Sequence, residues 1–319
     1  MRAIAIETFG GPEVLKLVER PLPEPARGEV RVRVHATAVN RADVLQRMGN
    51  YPAPADAPKD IPGLEIAGVV DAVGAEVERW KVGDRVFGLV GGGGYAEAVV
   101  SHERALAAIP DGMSFEDAAA VPEAFITAHD AISQAGLRGG ETLLVHAAGS
   151  GVGTAAIQLG HAFGAYVVGT ARTKDKLDRA AALGMDRGVV VKDAVFANEV
   201  GEPHVILELV GGAYLAEDLR CARSRGRIVL IGTMAGAKQE LELGLVLRKR
   251  LQITGTVLRA RPLEEKIAVV RAFEAQVVPL FARGLVKPII DRVLPLAEAG
   301  AAHAHMASNE GFGKIVLRV

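Results

Sequence analysis

The run Leu143-Leu144-Val145-His146-Ala147-Ala148-Gly149-Ser150-Gly151-Val152-Gly153-Thr154-Ala155-Ala156 constrains this chain more than any other segment. An apolar stretch suited to a buried parallel strand meets a glycine-dense turn, and a helix-forming segment follows at once. A helix that begins on such a turn presents backbone N–H groups and the positive end of its dipole to an anion. Glycines let the main chain approach phosphates and let strand and helix pack closely. Ala148, Gly149, Gly151, Val152 and Gly153 are therefore the expected seat of a dinucleotide pyrophosphate. An ordinary tight turn would show the same glycines. What argues against it is a second apolar strand, Ala165 to Thr170, at the distance where a ribose-reading residue belongs.

The residues after that second strand bear on which dinucleotide is bound. A site for NAD usually places an Asp or Glu there for the ribose 2′-hydroxyl. This chain has Thr170, Ala171, Arg172, Thr173 and Lys174 instead, with Lys176 close behind. A carboxylate would repel a 2′-phosphate, whereas Arg and Lys neutralise it. Basic residues at a helix start are slightly unfavourable, which argues against a merely solvated turn. Gly169, Thr170, Arg172 and Lys174 are expected to frame the adenosine ribose and its phosphate, and the cofactor is read as NADPH.

At 319 residues the chain exceeds what one core usually holds, so two domains are expected. The formal net charge of −1 gives no overall field that would draw in nucleic acid or a membrane. A single cysteine, Cys221, excludes an internal disulfide and any cysteine-based structural zinc site. No apolar run approaches the ~18 residues of a membrane helix, and the N-terminal residues do not read as a secretory peptide. The expected setting is the cytoplasm.

The first third of the chain reads as β-structure. Val30, Val32, Val34, Ala36 and Ala38 alternate with polar residues, and further strands are expected over 66–74 and 95–100. From about Pro122 the rhythm changes to alternating helix and strand, with strands expected over 142–147, 165–170, 188–191, 204–209 and 227–231. Right-handed crossovers would build these into a doubly wound parallel sheet. A long helix from Leu263 to Phe281 is expected next. A strand around 288–294, a short helix near 297–307 and a last strand over 313–317 complete the chain. That tail suits a return to the first domain.

On these residues the chain resembles the medium-chain dehydrogenase/reductase superfamily, and within it the zinc-independent quinone oxidoreductases. The resemblance is carried by Ala38-Val39-Asn40-Arg41-Ala42-Asp43, Pro62-Gly63-Leu64-Glu65-Ile66-Ala67-Gly68, Val82-Gly83-Asp84-Arg85-Val86, the glycine turn and Gly313-Lys314-Ile315-Val316-Leu317. Asn40 to Tyr51, Pro122 to Ala128 and Leu258 to Arg261 are similar to the p53-inducible quinone oxidoreductase subgroup. The resemblance implies an α/β fold: a GroES-like β-rich catalytic domain (1–123 and 262–319) with an inserted Rossmann domain (124–261). Zinc enzymes of the superfamily place metal ligands where this chain has Asn40 and Leu64, and neither residue suits zinc, so no metal is expected.

By the same resemblance, Asn40, Tyr51 and Thr127 are expected at the reaction centre, with Thr127 also touching the nicotinamide end of the cofactor. Ile231, Gly232, Leu258 and Lys314 are expected along the nicotinamide. Without a metal to acidify an alcohol, an electron-poor acceptor suits the site better. The expected activity is hydride transfer from NADPH to a quinone, in a homodimer formed through an edge strand near Leu251 to Val257. Two other readings share every cofactor motif. One is a reductase of activated C=C bonds in enones, alkenals or acyl thioesters. The other is a non-catalytic NADPH-binding or RNA-binding protein, which the near-neutral charge disfavours on the RNA side.

Overall fold

The computed structural model describes residues 1–319 and divides into two compact units, one of residues 1–126 and 258–319, the other of residues 127–257. Each division lies a few residues inside the expected inserted domain. The physical reason is the turn Pro122–Ile126, which packs on strands of the first unit, and Leu258 and Arg259, which line a cavity there.

The chain opens with β1 (Arg2–Ile6) and β2 (Leu15–Glu19), an antiparallel pair, and then enters the long strand β3 (Glu29–Val39). Alternation builds β3: Val30, Val32, Val34, Ala36 and Ala38 are buried while Arg33 faces solvent. Helix α1 (Arg41–Arg47) starts directly after Asn40, whose backbone N–H is accepted by the Asp43 carboxylate at 2.8 Å. Strands β4 (Glu65–Val73), β5 (Arg85–Leu89), β6 (Ala98–His102) and β7 (Leu106–Ala108) follow, then the short helix α2 (Phe115–Ala119). The expected strand at 95 begins only at 98. Tyr95 and Ala96 instead meet β1, through a bridge between Ala3 and Ala96 and an Ile4 N–H donated to the Tyr95 carbonyl at 2.8 Å. Pro122–Ile126 is a π-helical turn.

The second unit begins with α3 (Thr127–Ala135) and continues through β8 (Thr142–Val145), α4 (Gly151–Ala162), β9 (Tyr166–Ala171), α5 (Lys174–Ala181), β10 (Arg187–Val190), β11 (Val205–Glu208), α6 (Ala213–Cys221), β12 (Arg227–Leu230), α7 (Leu243–Lys249) and β13 (Gln252–Gly255). Its six strands are all parallel, in the order β10-β9-β8-β11-β12-β13. The direction of winding reverses between β8 and β11, the switch point at whose carboxyl edge ligands of such sheets bind. Leu144, Val168, Ile206 and Ile228 share one core with Phe196, Leu219 and Leu251.

The chain then returns to the first unit with α8 (Leu263–Gln276), α9 (Val278–Ala282), β14 (Ile290–Pro295), α10 (Ala299–Ser308) and β15 (Lys314–Arg318). The expected single helix from Leu263 to Phe281 is two. Val277 breaks it at φ −109°, and Pro279, which has no N–H for a continuing helix, falls in the first turn of α9. The returning strands join the β-rich sheet, whose order is β14-β15-β3-β4-β5-β7, with β6 also paired to β3. No helix is long and apolar enough to cross a membrane.

Candidate active site

In the first unit, β3 ends, β4 begins and β15 begins side by side, so Asn40, Glu65 and Lys314 meet. The Lys314 ammonium donates to Glu65 Oε1 at 2.6 Å, to Asn40 Oδ1 and to the Val39 carbonyl at 3.3 Å. All three of its protons are engaged. The Asn40 amide donates from Nδ2 to Glu65 Oε1 at 2.7 Å. Glu65 Oε2 accepts the backbone N–H of Glu123 at 2.8 Å. Glu65 is fully buried and Lys314 4 % exposed, so the ion pair is internal and its charges are matched by hydrogen bonds at every position. Asp43 is buried beside it, accepting from the backbone of Asn40 and, at 3.1 Å, from Gly63. Burial pushes the Asp43 carboxyl up to about 6. The Tyr95 hydroxyl lies 3.4 Å from Asp43 Oδ2 and 3.0 Å from His303 Nε2.

Next to this network lies an apolar cavity lined by Leu64, Val90, Ile126, Leu258 and Val270, with Glu123 and Arg259 among its few polar walls. Arg259 is held by its own bonds: Nε donates to the Gly91 carbonyl at 2.7 Å and Nη2 to Gln46 Oε1 at 2.6 Å. Its third nitrogen, Nη1, is buried with no partner. The guanidinium carbon sits 5.2 Å from the centre of the Tyr51 ring, a cation–π pair. Burial, together with the Glu123 charge, raises the Tyr51 hydroxyl above its ordinary value. Burial also drives the Glu123 carboxyl up to about 8, helped by the Glu65 charge and opposed by Lys314. A group so shifted keeps its proton at neutral pH.

In the second unit the glycine turn is built for a ligand. Ser150 caps α4, its Oγ accepting the Gly153 N–H at 3.0 Å. Gly151 and Val152 take the first helical positions, where backbone N–H groups have no partner within the helix and suit an anion. The Ala148 N–H donates to the Thr170 carbonyl at 2.9 Å and ties the turn to β9. A Cβ on Gly153 would stand 2.3 Å from the Ala147 carbonyl oxygen, so only glycine lets α4 approach the strand this closely. At the head of α3, Thr127 is buried, and its Oγ1 has no partner in the protein. An orphaned hydroxyl and an open helix start are what a dinucleotide needs, and these residues fit one.

Below the turn, the side chains that end β8, β9 and β11 form a buried row. His146 Nε2 lies 2.8 Å from Asp218 Oδ1 and its Nδ1 2.8 Å from Thr170 Oγ1. A neutral imidazole satisfies both by donating to Asp218 and accepting from Thr170. Glu208 Oε1 accepts the Gly211 N–H at 2.8 Å, and Oε2 comes within 3.8 Å of His146. Burial lowers His146 to about 4 and raises Glu208 to about 8.

Residues 26–111 match the alcohol dehydrogenase GroES-like domain, and residues 151–275 match the family model described as zinc-binding dehydrogenase. The quinone oxidoreductase of Pseudomonas aeruginosa is 36% identical, covering 99% of this chain and 99% of that one. The chain belongs to the quinone oxidoreductases of the medium-chain dehydrogenase/reductase superfamily. Among solved structures, the quinone oxidoreductase from Thermus thermophilus, also determined as its complex with NADPH, superposes with a TM-score of 0.86 at 35% identity, covering 100% of both chains. An NAD-dependent alcohol dehydrogenase gives 0.87 at 34% identity with the same coverage, and the CurK enoyl reductase gives 0.88 at 27% identity, covering 99% of this chain and 98% of that one. The family makes this chain an oxidoreductase with a GroES-like unit and a Rossmann unit.

Within this quinone oxidoreductase family member, the structure brings some expected residues together and gives others different surroundings. Leu258 lines the cavity beside Arg259, and Tyr51 lies against the Arg259 guanidinium. Asn40 and Lys314 sit together, but both face Glu65, so neither the amide nor the ammonium is open to a ligand. Thr170 is fully buried with its hydroxyl on His146, which removes its side chain from any ribose. Gly169 leaves room for Met185, whose sulfur would be 2.4 Å from an added Cβ. Lys174 is exposed, but pairs with Asp178 one helical turn on, at 2.6 Å. Arg172 is exposed at the end of β9, and Ile231 and Gly232 donate their N–H groups to the Glu208 carbonyl at 2.8 and 3.3 Å. Glu123 and the buried His146–Asp218–Glu208 row were not singled out by sequence. A signal for Glu208 exists, since it is a lone carboxylate ending the apolar run Val205-Ile206-Leu207.

Proposed function

We propose that this protein is an NADPH-dependent, metal-free reductase that delivers hydride to quinones. The observation that carries the reading is the Lys314–Glu65 ion pair. Zinc-dependent members of the superfamily use the positions of Asn40 and Leu64 for metal ligands. Here those positions hold an amide engaged by Lys314 and a buried leucine, and the neighbouring carboxylate is occupied by an ammonium. A dication would have to displace that ammonium, and would gain no thiolate or imidazole in return. The residues do not fit zinc.

An acceptor that takes hydride without Lewis-acid help is then required, and quinones and activated alkenes meet that condition. The bound dinucleotide supplies hydride from its nicotinamide. Gly151 and Val152 would hold its pyrophosphate and Thr127 its nicotinamide end, with Arg172 beside the 2′-phosphate. Arg259, whose guanidinium lies against the Tyr51 ring, lines an apolar cavity suited to a flat, conjugated acceptor, and its unpartnered Nη1 is a donor for the oxyanion that develops. Asn40 and Lys314 act by holding Glu65 and, through it, the backbone of Glu123.

Reduction of activated C=C bonds is the second reading, favoured by the likeness to an enoyl reductase. A homodimer in the cytoplasm completes the proposal. The edge strand β13 is exposed along its length, with Ile253 and Val257 uncovered, and offers the pairing surface. The test is oxidation of NADPH and NADH, separately, by 1,4-benzoquinone and by a short enone in chelator-treated protein. Fast NADPH consumption with the quinone is expected. Activity only after zinc is added, or with NADH alone, would overturn the reading.

A further inference from the structure

Glu123 has no part in the network that fixes its backbone. Its N–H is held by Glu65 inside the π-helical turn, while its own carboxyl makes no hydrogen bond in the protein and lines the apolar cavity with Arg259. π-Helical turns interrupt the regular helix ladder and recur at functional sites. Here the turn sets a carboxyl against the cavity wall, close enough for its charge to be felt by both Tyr51 and Arg259.

We propose that Glu123 is the proton donor of the acceptor site. The inference rests on the reductase reading above. Hydride taken from a reduced nicotinamide dinucleotide puts two electrons on the acceptor and leaves a quinol monoanion, or an enolate when the acceptor is an enone. The Glu123 O–H bond then breaks, its proton forms the O–H or C–H bond of the product, and the bonding pair stays on the carboxylate. Lys314 and Arg259, the two cations that act on Glu123, stabilise the carboxylate so formed. A proton from solvent restores the acid. Burial supports the assignment, because it keeps Glu123 protonated at neutral pH when an ordinary glutamate would be ionised.

The test uses 4-nitrophenolate, a chromophoric stand-in for the quinol anion, together with Glu123→Gln. In the wild-type protein, affinity for the phenolate form should fall about tenfold or more as pH rises from 7 to 9.5, as the acid ionises and repels it. In the Gln variant it should stay flat. The same variant should lose about a hundredfold or more in quinone kcat while acceptor KM and NADPH affinity hold. Glu123→Asp, which keeps the proton but shortens its reach, should fall between the two and guards against a folding defect in the Gln variant. Identical titrations in wild type and Gln variant, or an undiminished kcat, would overturn the role of Glu123. A wild-type protein inert towards both quinones and enones would instead overturn the reductase reading beneath it.

Discussion

The Glu65 carboxylate joins two elements that are far apart in sequence: Oε2 accepts the backbone N–H of Glu123 at 2.8 Å, and Oε1 holds the Lys314 ammonium at 2.6 Å. Removing either charge leaves the other buried without a partner. Glu65→Ala is therefore expected to cost about 3–5 kcal/mol of stability, measured by urea unfolding. Pairing Glu65→Gln with Lys314→Met should cost clearly less than the two single changes added together, because no charge is then stranded. Simple additivity would show that the pair is not coupled.

Gly153 tests the dinucleotide turn. With the Ala147 oxygen only 2.3 Å from where a Cβ would stand, Gly153→Ala must push α4 off its strand or reshape the turn. NADPH affinity, followed by nucleotide fluorescence, should fall about tenfold or more, the equivalent of losing one or two charge-assisted hydrogen bonds. Unchanged affinity would place the pyrophosphate elsewhere.

The two basic residues after β9 are expected to differ. Both are exposed and Lys174 pairs with Asp178, but the planar guanidinium of Arg172 matches a phosphate with two parallel hydrogen bonds, which an ammonium cannot do. Arg172→Ala should weaken NADPH by about tenfold or more while NADH binding changes little. Lys174→Ala should have the smaller effect. Equal losses for both dinucleotides in the Arg172 variant would remove its 2′-phosphate role.

Much of this was open to inspection in the sequence, for a definite reason. A strand buried on both faces is an apolar run, and a strand-to-helix turn near phosphate needs glycine, so β8, the turn and α4 announce themselves locally. The half-buried β3 does so by alternation. Glu65 and Lys314 are separated by 249 residues, and only the sheet order β15-β3-β4 brings them together. No local pattern carries that information. Thr170 shows the converse limit. Its position at a strand end was readable, but which way its hydroxyl turns depends on His146 across the sheet. The break at Val277 went unread although Pro279 marks it, because apolar periodicity runs through both helices and hides the join.

The buried row below the dinucleotide turn ties the stability of the second unit to pH in a direction that can be worked out. Burial raises Glu208 to about 8 and Asp218 to about 7, so folding retains protons that the unfolded chain releases near pH 4. Their contribution is complete below that pH and is lost as pH rises through 7 to 8. His146, lowered to about 4 by burial, has the opposite sign: its contribution is present above the unfolded value near 6.5 and is lost as pH falls towards 4. Glu208→Gln should therefore leave the acid side unaltered and lessen the loss of stability between pH 6 and 9. Cys221 gives a local readout, being buried in α6 with its thiol on the Asp218 carbonyl at 3.6 Å. Labelling of that thiol requires the second unit to open. The ratio of wild-type to variant labelling rates, taken at each pH, should rise between pH 6 and 9, and a constant ratio would show that Glu208 does not govern the pH response.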